Sequence, residues 1–436
     1  MCFMTKRSAY LLLMIFIFLQ QAVAQNVDKN AVSEQDWGIG LANRSASIPY
    51  STDGTNKIIS LVPMMFYEGQ RFFVRGIGGG MYLYKDEFWR ISALMRMHFV
   101  DLPDEYQNKV QPNNVDYGVR ARWFFSAPFF AEIEPMLDFD SMFSTNLRIG
   151  LFHKGQRFFL NPYFEAKIKS SDYNSRYFGL TLEKVNAGVD YSLGIIADAR
   201  IFRNLYLYGA AKLTLLDRNA RSAAYVKDDI KGEVYLGFGF SNDPTKPRIK
   251  ELKNRPYLRL SQGFATPHSF DQVVFFNIEP DSFHNKLTSI FYGYPLTDEV
   301  FGIPLGLYIT TGFVWHWESS VQSNAQEIVL AMKAYLTIPW PFRWRIGMAE
   351  GLSYINHITY IEQEVYDRKD YVPVNLLNYL DFSLDFNIGD IFSDKLKNIW
   401  LGYNVHHRSG IFEKSQQYGS VNVGSNYYSV YLQYDF

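Results

Sequence analysis

A histidine and a serine two residues apart stand within His406-His407-Arg408-Ser409-Gly410. A serine hydroxyl becomes a nucleophile when a neighbouring base takes its proton, and an imidazole aimed by a third polar group is a common base. In strand alternation from Lys397 onward, Ile399, Leu401, Tyr403 and Val405 share a face with His407 and Ser409. Trp400, Asn404, His406 and Arg408 take the other. A histidine and a serine on an apolar face gain nothing there unless they pair or meet a membrane interface. Asn426 opens the following strand in the register of Tyr428 and Phe436, so its amide can meet the imidazole across adjacent strands. The chemistry this trio suits is acyl transfer, with Ser409 as nucleophile, His407 as base, and Asn426 or the loop acid Glu413 as orienting group. The alternative is that His407, Arg408 and Ser409, with Lys414, only contact the phosphates and sugars of a glycolipid.

The strands that carry these residues have the pattern of a membrane barrel. In the terminal run Tyr427 to Phe436, positions 428, 430, 432, 434 and 436 are apolar or aromatic, while Ser429, Gln433 and Asp435 are polar. One apolar and one polar face fit a strand between lipid and a wet lumen. A strand that stops on Phe436 also has the form of a terminal outer-membrane targeting signal. With that terminus in the periplasm, the last strand descends and its predecessor ascends, which sets His407 and Ser409 at the extracellular rim. At the other end, Lys6 and Arg7 precede an apolar run to Leu19, and Ala22-Val23-Ala24 offers a cleavage site. This reads as a secretory signal peptide over residues 1–24. Cys2, the one cysteine, lies inside it, so disulfides and thiol chemistry drop out.

Composition agrees. The 436 residues are 47% hydrophobic and 17% aromatic, yet mean hydropathy is −0.15, and no later stretch approaches the roughly 20 apolar residues of a spanning helix. A net charge of −1 gives no reason to expect a nucleic-acid partner. The fold expected is an all-β transmembrane antiparallel barrel, and more specifically two barrels in tandem. Glu233 to Phe240 looks like an internal terminal strand, and the Pro- and cation-bearing segment that follows is long for a periplasmic turn. The expected division is a first barrel over 25–240 with about 10–12 strands, a periplasmic linker over 241–255, and a second barrel over 256–436 with about eight. One barrel of about twenty strands is the alternative.

Inward faces pair cations with acids: Arg90 and Arg96, then Arg120 and Arg122, then Glu132, Glu134 and Asp138. Charges so arranged satisfy one another in a narrow lumen and are structural rather than catalytic. Gly76 and Gly78 to Gly80 are followed by strand and not by a helix, which favours a tight bend over a nucleotide loop. Asp101, Asp104 and Glu105 read as solvated loop acids that at most bridge divalent cations to lipopolysaccharide. His98, His153, His268, His284, His316 and His357 show no close metal-ligand spacing. Neither a metal nor a cofactor is expected.

Trp37-Gly38-Ile39-Gly40-Leu41, Arg71-Phe72-Phe73, Gly76 to Gly80, Ser170-Ser171-Asp172-Tyr173 and Asp217 to Ser222 resemble the MipA/OmpV family of outer-membrane proteins. The segment Ile48 to Gly54 departs from its pattern. The resemblance implies an envelope scaffold or interaction protein, of the kind that links murein synthase and hydrolase proteins, and brings no catalytic residues. In the second half, His407-Arg408-Ser409, Gly424-Ser425-Asn426-Tyr427 and the upstream Asn378-Tyr379-Leu380 resemble PagL-type lipid A deacylases. That implies a carboxylic ester hydrolase acting on lipid A. The family's acid is missing from the last strand until Asp435, which leaves Asn426 or Glu413 for its role. The leading expectation is a non-enzymatic outer-membrane scaffold in contact with membrane lipids and lipopolysaccharide. A lipid A acyl-ester hydrolase is the alternative, and a small-solute porin is the third reading.

Overall fold

Strand alternation resolves into two closed antiparallel barrels and not into one large ring. The computed structural model describes residues 36–51, 57–110, 113, 115–155, 157–242, 252–411 and 415–436. The signal-peptide assignment and most of the linker lie outside these residues. The first barrel begins with β1 (Asp36–Ser47), β2 (Lys57–Glu68), β3 (Phe72–Gly76), β4 (Gly78–Lys85) and β5 (Trp89–Met97). It continues with β6 (Val115–Ser126), β7 (Phe129–Asp138), β8 (Phe143–Leu151) and a two-residue extension, β9 (His153–Lys154). β10 (Phe158–Lys169), β11 (Gly188–Phe202), β12 (Leu205–Leu215) and β13 (Ile230–Ser241) complete it. With β9 counted as a continuation of β8, twelve strands form the ring, closed by β13 against β1.

The second barrel has eight strands: β14 (Tyr257–Thr266), β15 (Lys286–Thr297), β16 (Leu305–His316), β17 (Ala325–Ile338), β18 (Trp344–Ile355), β19 (Leu376–Asn387), β20 (Ile399–Ser409) and β21 (Gly424–Asp435). β14 pairs with β21 to close it. Among the described residues no helix is long and apolar enough to cross a membrane. The outer faces carry the exposed apolar set, such as Ile149, Leu236, Phe238, Leu260, Val430 and Leu432. In each barrel the longest connections, 98–114, 170–187 and 216–229 in the first and 267–285, 356–375 and 410–423 in the second, lie at one end, called the loop end.

The inward charges pair as their spacing implies. Glu132 accepts from Arg122 at 2.5 Å and Arg148 at 2.7 Å, and Glu134 from Arg120 at 2.5 Å and Arg96 at 2.8 Å. In the second barrel three layers fill the lumen. Arg345 grips Asp385 with two 2.8 Å bonds near the turn end. Above it, Asp381 binds Arg259, Lys333 and Asn404. Nearest the loop end, Glu327 takes His316 at 2.8 Å and His406 at 3.0 Å.

Loops close both mouths. Ile48, Ile58, Leu102, Tyr173, Tyr177 and Leu216 belong to one buried cluster across the loop end of the first barrel. The helix Tyr360–Lys369 roofs the second, and its Glu362 reaches Arg408 and Ser425 at 2.8 and 2.7 Å. Asp101 is not solvated as the sequence suggested. It is buried, and its two oxygens lie 2.6 and 2.9 Å from the Arg44 guanidinium, with Lys231 at 2.5 Å. Burial opposes ionisation here, but the two cations outweigh it and hold the carboxyl well below the usual carboxylate range. The side chains of Asp104 and Glu105 lie outside the description.

The barrels pack side by side through their outer faces. Trp37 and Met65 of the first meet Leu296, Leu307 and Met332 of the second, and Met97 and Val115 meet Tyr366, Leu376 and Tyr418. Asn108 clasps the backbone of Val372, accepting from its N at 2.6 Å and donating to its O at 3.0 Å. The glycines at 76 and 78 form a turn, with φ +65° at Gly76. That turn makes β3 and β4 a short hairpin, and β2 pairs with β3 only over Met65 to Glu68.

Candidate functional site

β20 separates its residues as the alternation implies. Arg408 is fully buried in the lumen, with Nη1 donating to both Glu362 oxygens at 2.8 Å. It is therefore unavailable to a glycolipid phosphate, which removes it from the interface reading. His407 and Ser409 are partly exposed on the outer face. The β20–β21 ladder sets His407 opposite Asn426 and Ser409 opposite Gly424.

His407 Nδ1 lies 2.7 Å from Asn426 Oδ1, while Asn426 Nδ2 donates to the His268 carbonyl at 2.9 Å. A carbonyl only accepts, so it fixes the amide nitrogen on its own side and leaves the oxygen facing the imidazole. His407 Nδ1 must then carry the proton, which leaves the Nε2 lone pair free to act as a base. At Gly424 a Cβ would meet the Arg408 carbonyl at 2.7 Å and stand 3.5 Å from both His407 Cε1 and Ser409 Cβ, so the glycine lies between these two side chains. Ser409, His407 and Asn426 thus occupy one strip of the outer wall at the loop end.

A short helix fixes the far side of this strip. Ser269 and Gln272 form a capping box that starts the helix Phe270–Val274. The helix lies against β20, where Tyr403 donates to the Val273 carbonyl at 2.7 Å and the Phe270 ring sits 4.9 Å from His407. The His268 carbonyl reaches Asn426 from the residue before the cap, Ser269. On the near side, Asn378 is the β19 partner of Ser409. With its amide nitrogen toward Glu350, Asn378 donates to Glu350 Oε1 at 2.7 Å and to the Tyr418 hydroxyl at 3.1 Å. Glu413 and Lys414 lie outside the described residues. Asp435 sits at the turn end, bonded to Trp400 at 2.9 Å, and takes no part.

The sequence did not show that His268, Phe270, Asn378 and Glu350 flank the trio. The first two arrive on the β14–β15 connection, whereas Asn378, already part of the hydrolase-like motif, and Glu350 face outward in the registers of Leu380 and Met348. It also did not show that His316 and His406, 90 positions apart, share Glu327. Buried with Ser353 donating to Glu327 at 2.6 Å, that cluster fills the lumen below Arg408.

Fold and strip together define a tandem outer-membrane-type barrel protein with a polar trio on the outer wall of its smaller barrel. Residues 38–242, almost the whole first barrel, match the family model of MltA-interacting protein MipA, as the resemblance in the sequence implied. No curated protein matches the chain. The solved structure of the outer membrane enzyme PagL is 8% identical, with 41% of this chain and 99% of that one covered and a TM-score of 0.29. OprB of Pseudomonas putida is 9% identical over 94% of this chain and 95% of its own, with a TM-score of 0.26. The channel DcaP of Acinetobacter baumannii is 7% identical over 93% and 99%, with a TM-score of 0.21. Likenesses this remote transfer no activity.

Proposed function

We propose that this is an outer-membrane protein, its loop ends extracellular, whose second barrel hydrolyses acyl esters of a glycolipid such as lipid A in the outer leaflet. The observation that carries this reading is the 2.7 Å contact of His407 with Asn426 beside Ser409, on the wall that would face lipid. Ser409 Oγ attacks the ester carbonyl carbon and His407 Nε2 takes its proton. The same imidazole then returns that proton to the departing sugar oxygen, and water releases the acyl chain by the reverse sequence. Asn426 cannot neutralise the imidazolium as a carboxylate would. Its role is to hold the productive tautomer, for which the His268 carbonyl fixes its orientation.

The experiment is mass spectrometry of lipid A from cells that express the chain, with fluorophosphonate labelling of the purified protein. Loss of one acyl group and a label on Ser409, both absent in Ser409→Ala, are expected. Unchanged lipid A and an unlabelled Ser409 would rule the activity out. The family match supports a second role for the first barrel, contact with a murein hydrolase at its periplasmic turns. Co-purification with such an enzyme from detergent-solubilised envelopes, lost when those turns are replaced, tests it. Buried loop clusters and ion pairs across the described lumens weigh against a diffusion porin.

A further inference from the structure

We propose that the first barrel is a positioning partner of the Ser409 site and acts on it through Gln416. The docking it invokes stands on geometry alone, whereas the positioning role rests on the hydrolase reading above. The argument starts from the short β3–β4 hairpin. Because β3 reaches only as far as Met65, residues 58–64 of β2 have no ladder partner among the described residues on the side away from β1. The wall of the first barrel is therefore notched at its loop end, next to the second barrel.

Gln416 and Tyr418, from the connection between β20 and β21, fill this notch. Gln416 N donates to Ser60 Oγ at 3.4 Å, its Nε2 donates to Gln107 Oε1 at 3.2 Å, and its Oε1 accepts from Arg44 Nη1 at 2.8 Å. Arg44 and Ser60 are a register pair on the lumen face, so the Gln416 side chain has passed through the wall. Tyr418 follows it and is buried with Met97, Ile77 and Met95 in the seam. Arg44 already meets two acids, Asp101 and Glu233. A neutral amide supplies the remaining acceptor without adding a third negative charge, and it also supplies the donor that Gln107 takes.

This loop is the one that carries the His407–Ser409 strand into the Asn426 strand. Pinning it at Gln416 and Tyr418 fixes the end of the ladder at which Ser409 faces Gly424. Gln416 and Arg44 touch no substrate; they hold the strand ends that do.

The test uses the full chain in outer membranes, with a p-nitrophenyl acyl ester as substrate. Gln416→Ala should lower kcat about 10- to 100-fold, as expected for a reacting group displaced by a fraction of an ångström to one ångström. KM should stay within about twofold. Gln416→Glu, which keeps the acceptor toward Arg44 but adds a third acid there and loses the donor that Gln107 takes, should recover only part of the rate. Docking is read separately from a Ser60→Cys/Gln416→Cys double variant in a Cys2→Ser background. Oxidation should close a disulfide between the barrels, and the oxidised form should turn over faster than the reduced form, which also covers the case in which Gln416→Ala fails to assemble. Failure of the disulfide to form overturns the docking. A disulfide with kcat unchanged in Gln416→Ala overturns the positioning role. A parent chain that cleaves no ester overturns the positioning role together with the hydrolase reading, while the disulfide still decides the docking.

Discussion

The two barrels solve the same problem with different means. Eight strands enclose a lumen that side chains can fill by themselves. In the second barrel the cationic partners Arg259, Lys333, Arg345 and Arg408 are at most 3% exposed. Twelve strands leave more room, and Arg96, Arg120, Arg122 and Arg148 of the first barrel remain 11–21% exposed, whereas Arg44 is buried where the neighbour's Gln416 reaches it. The larger ring needs loops to close its mouth, and a loop of its neighbour to fill its wall. The difference teaches where a precise site can be built. The trio lies on the smaller ring, where every strand is laddered on both sides, and the larger ring serves as a brace.

The largest expected effect is at the trio itself. His407→Ala should reduce ester cleavage by about 10³-fold or more, comparable with loss of a nucleophile or base elsewhere, and Asn426→Ala by clearly less. Equal losses would mean that Asn426 does more than orient the ring. Rates measured on protein with unchanged heat-dependent gel mobility decide this.

Separating the barrels should break the comparison next. Residues 252–436 behind a signal peptide are expected to assemble, because their ring closes on itself. The first barrel alone exposes the unladdered edge at 58–64 and should be cut there by protease while the full chain resists. Equal resistance would show that the notch seals without its neighbour.

Single ion-pair deletions sharpen the contrast further. Arg345→Ala leaves Asp385 buried with the Tyr431 hydroxyl at 2.7 Å, and should cost about 3–5 kcal/mol. Arg148→Ala should cost less, because Glu132 keeps Arg122 and Glu134 keeps Arg96 and Arg120. Urea midpoints in detergent report both.

The smallest effect is in pH. The Asp101 carboxyl is depressed in the folded protein, so its pairing with Arg44 and Lys231 stabilises fully above the unfolded value of about 4 and is lost only as pH falls through the lower folded value. The change in stability of the full chain between pH 7 and 5 should owe nothing to this group, whose contribution is constant there. An Asp101→Asn variant that changes the slope over that range would contradict the assignment.

The class of fold and the sidedness of its strands were legible in the sequence alone, and the division into two rings was favoured there, with one large ring the alternative that the closed ladders removed. A period of two is a local property, and it placed Glu132 and Glu134 inward and His407 and Ser409 outward without any knowledge of neighbours. It also allowed Asn426 to be matched with His407, since adjacent strands in a known register bring predictable pairs together. Only the tertiary structure decided what arrives on loops. Chain entropy leaves a loop many paths, and alternation does not continue through it. Thus no local pattern indicated that the His268 carbonyl orients Asn426, that Asp101 turns inward to Arg44, or that Arg408 is held by Glu362. Nor does any local pattern tell a full-height hairpin from a short one. The notch beside β2, and the Gln416 that passes through it, exist because two closed rings lie against each other.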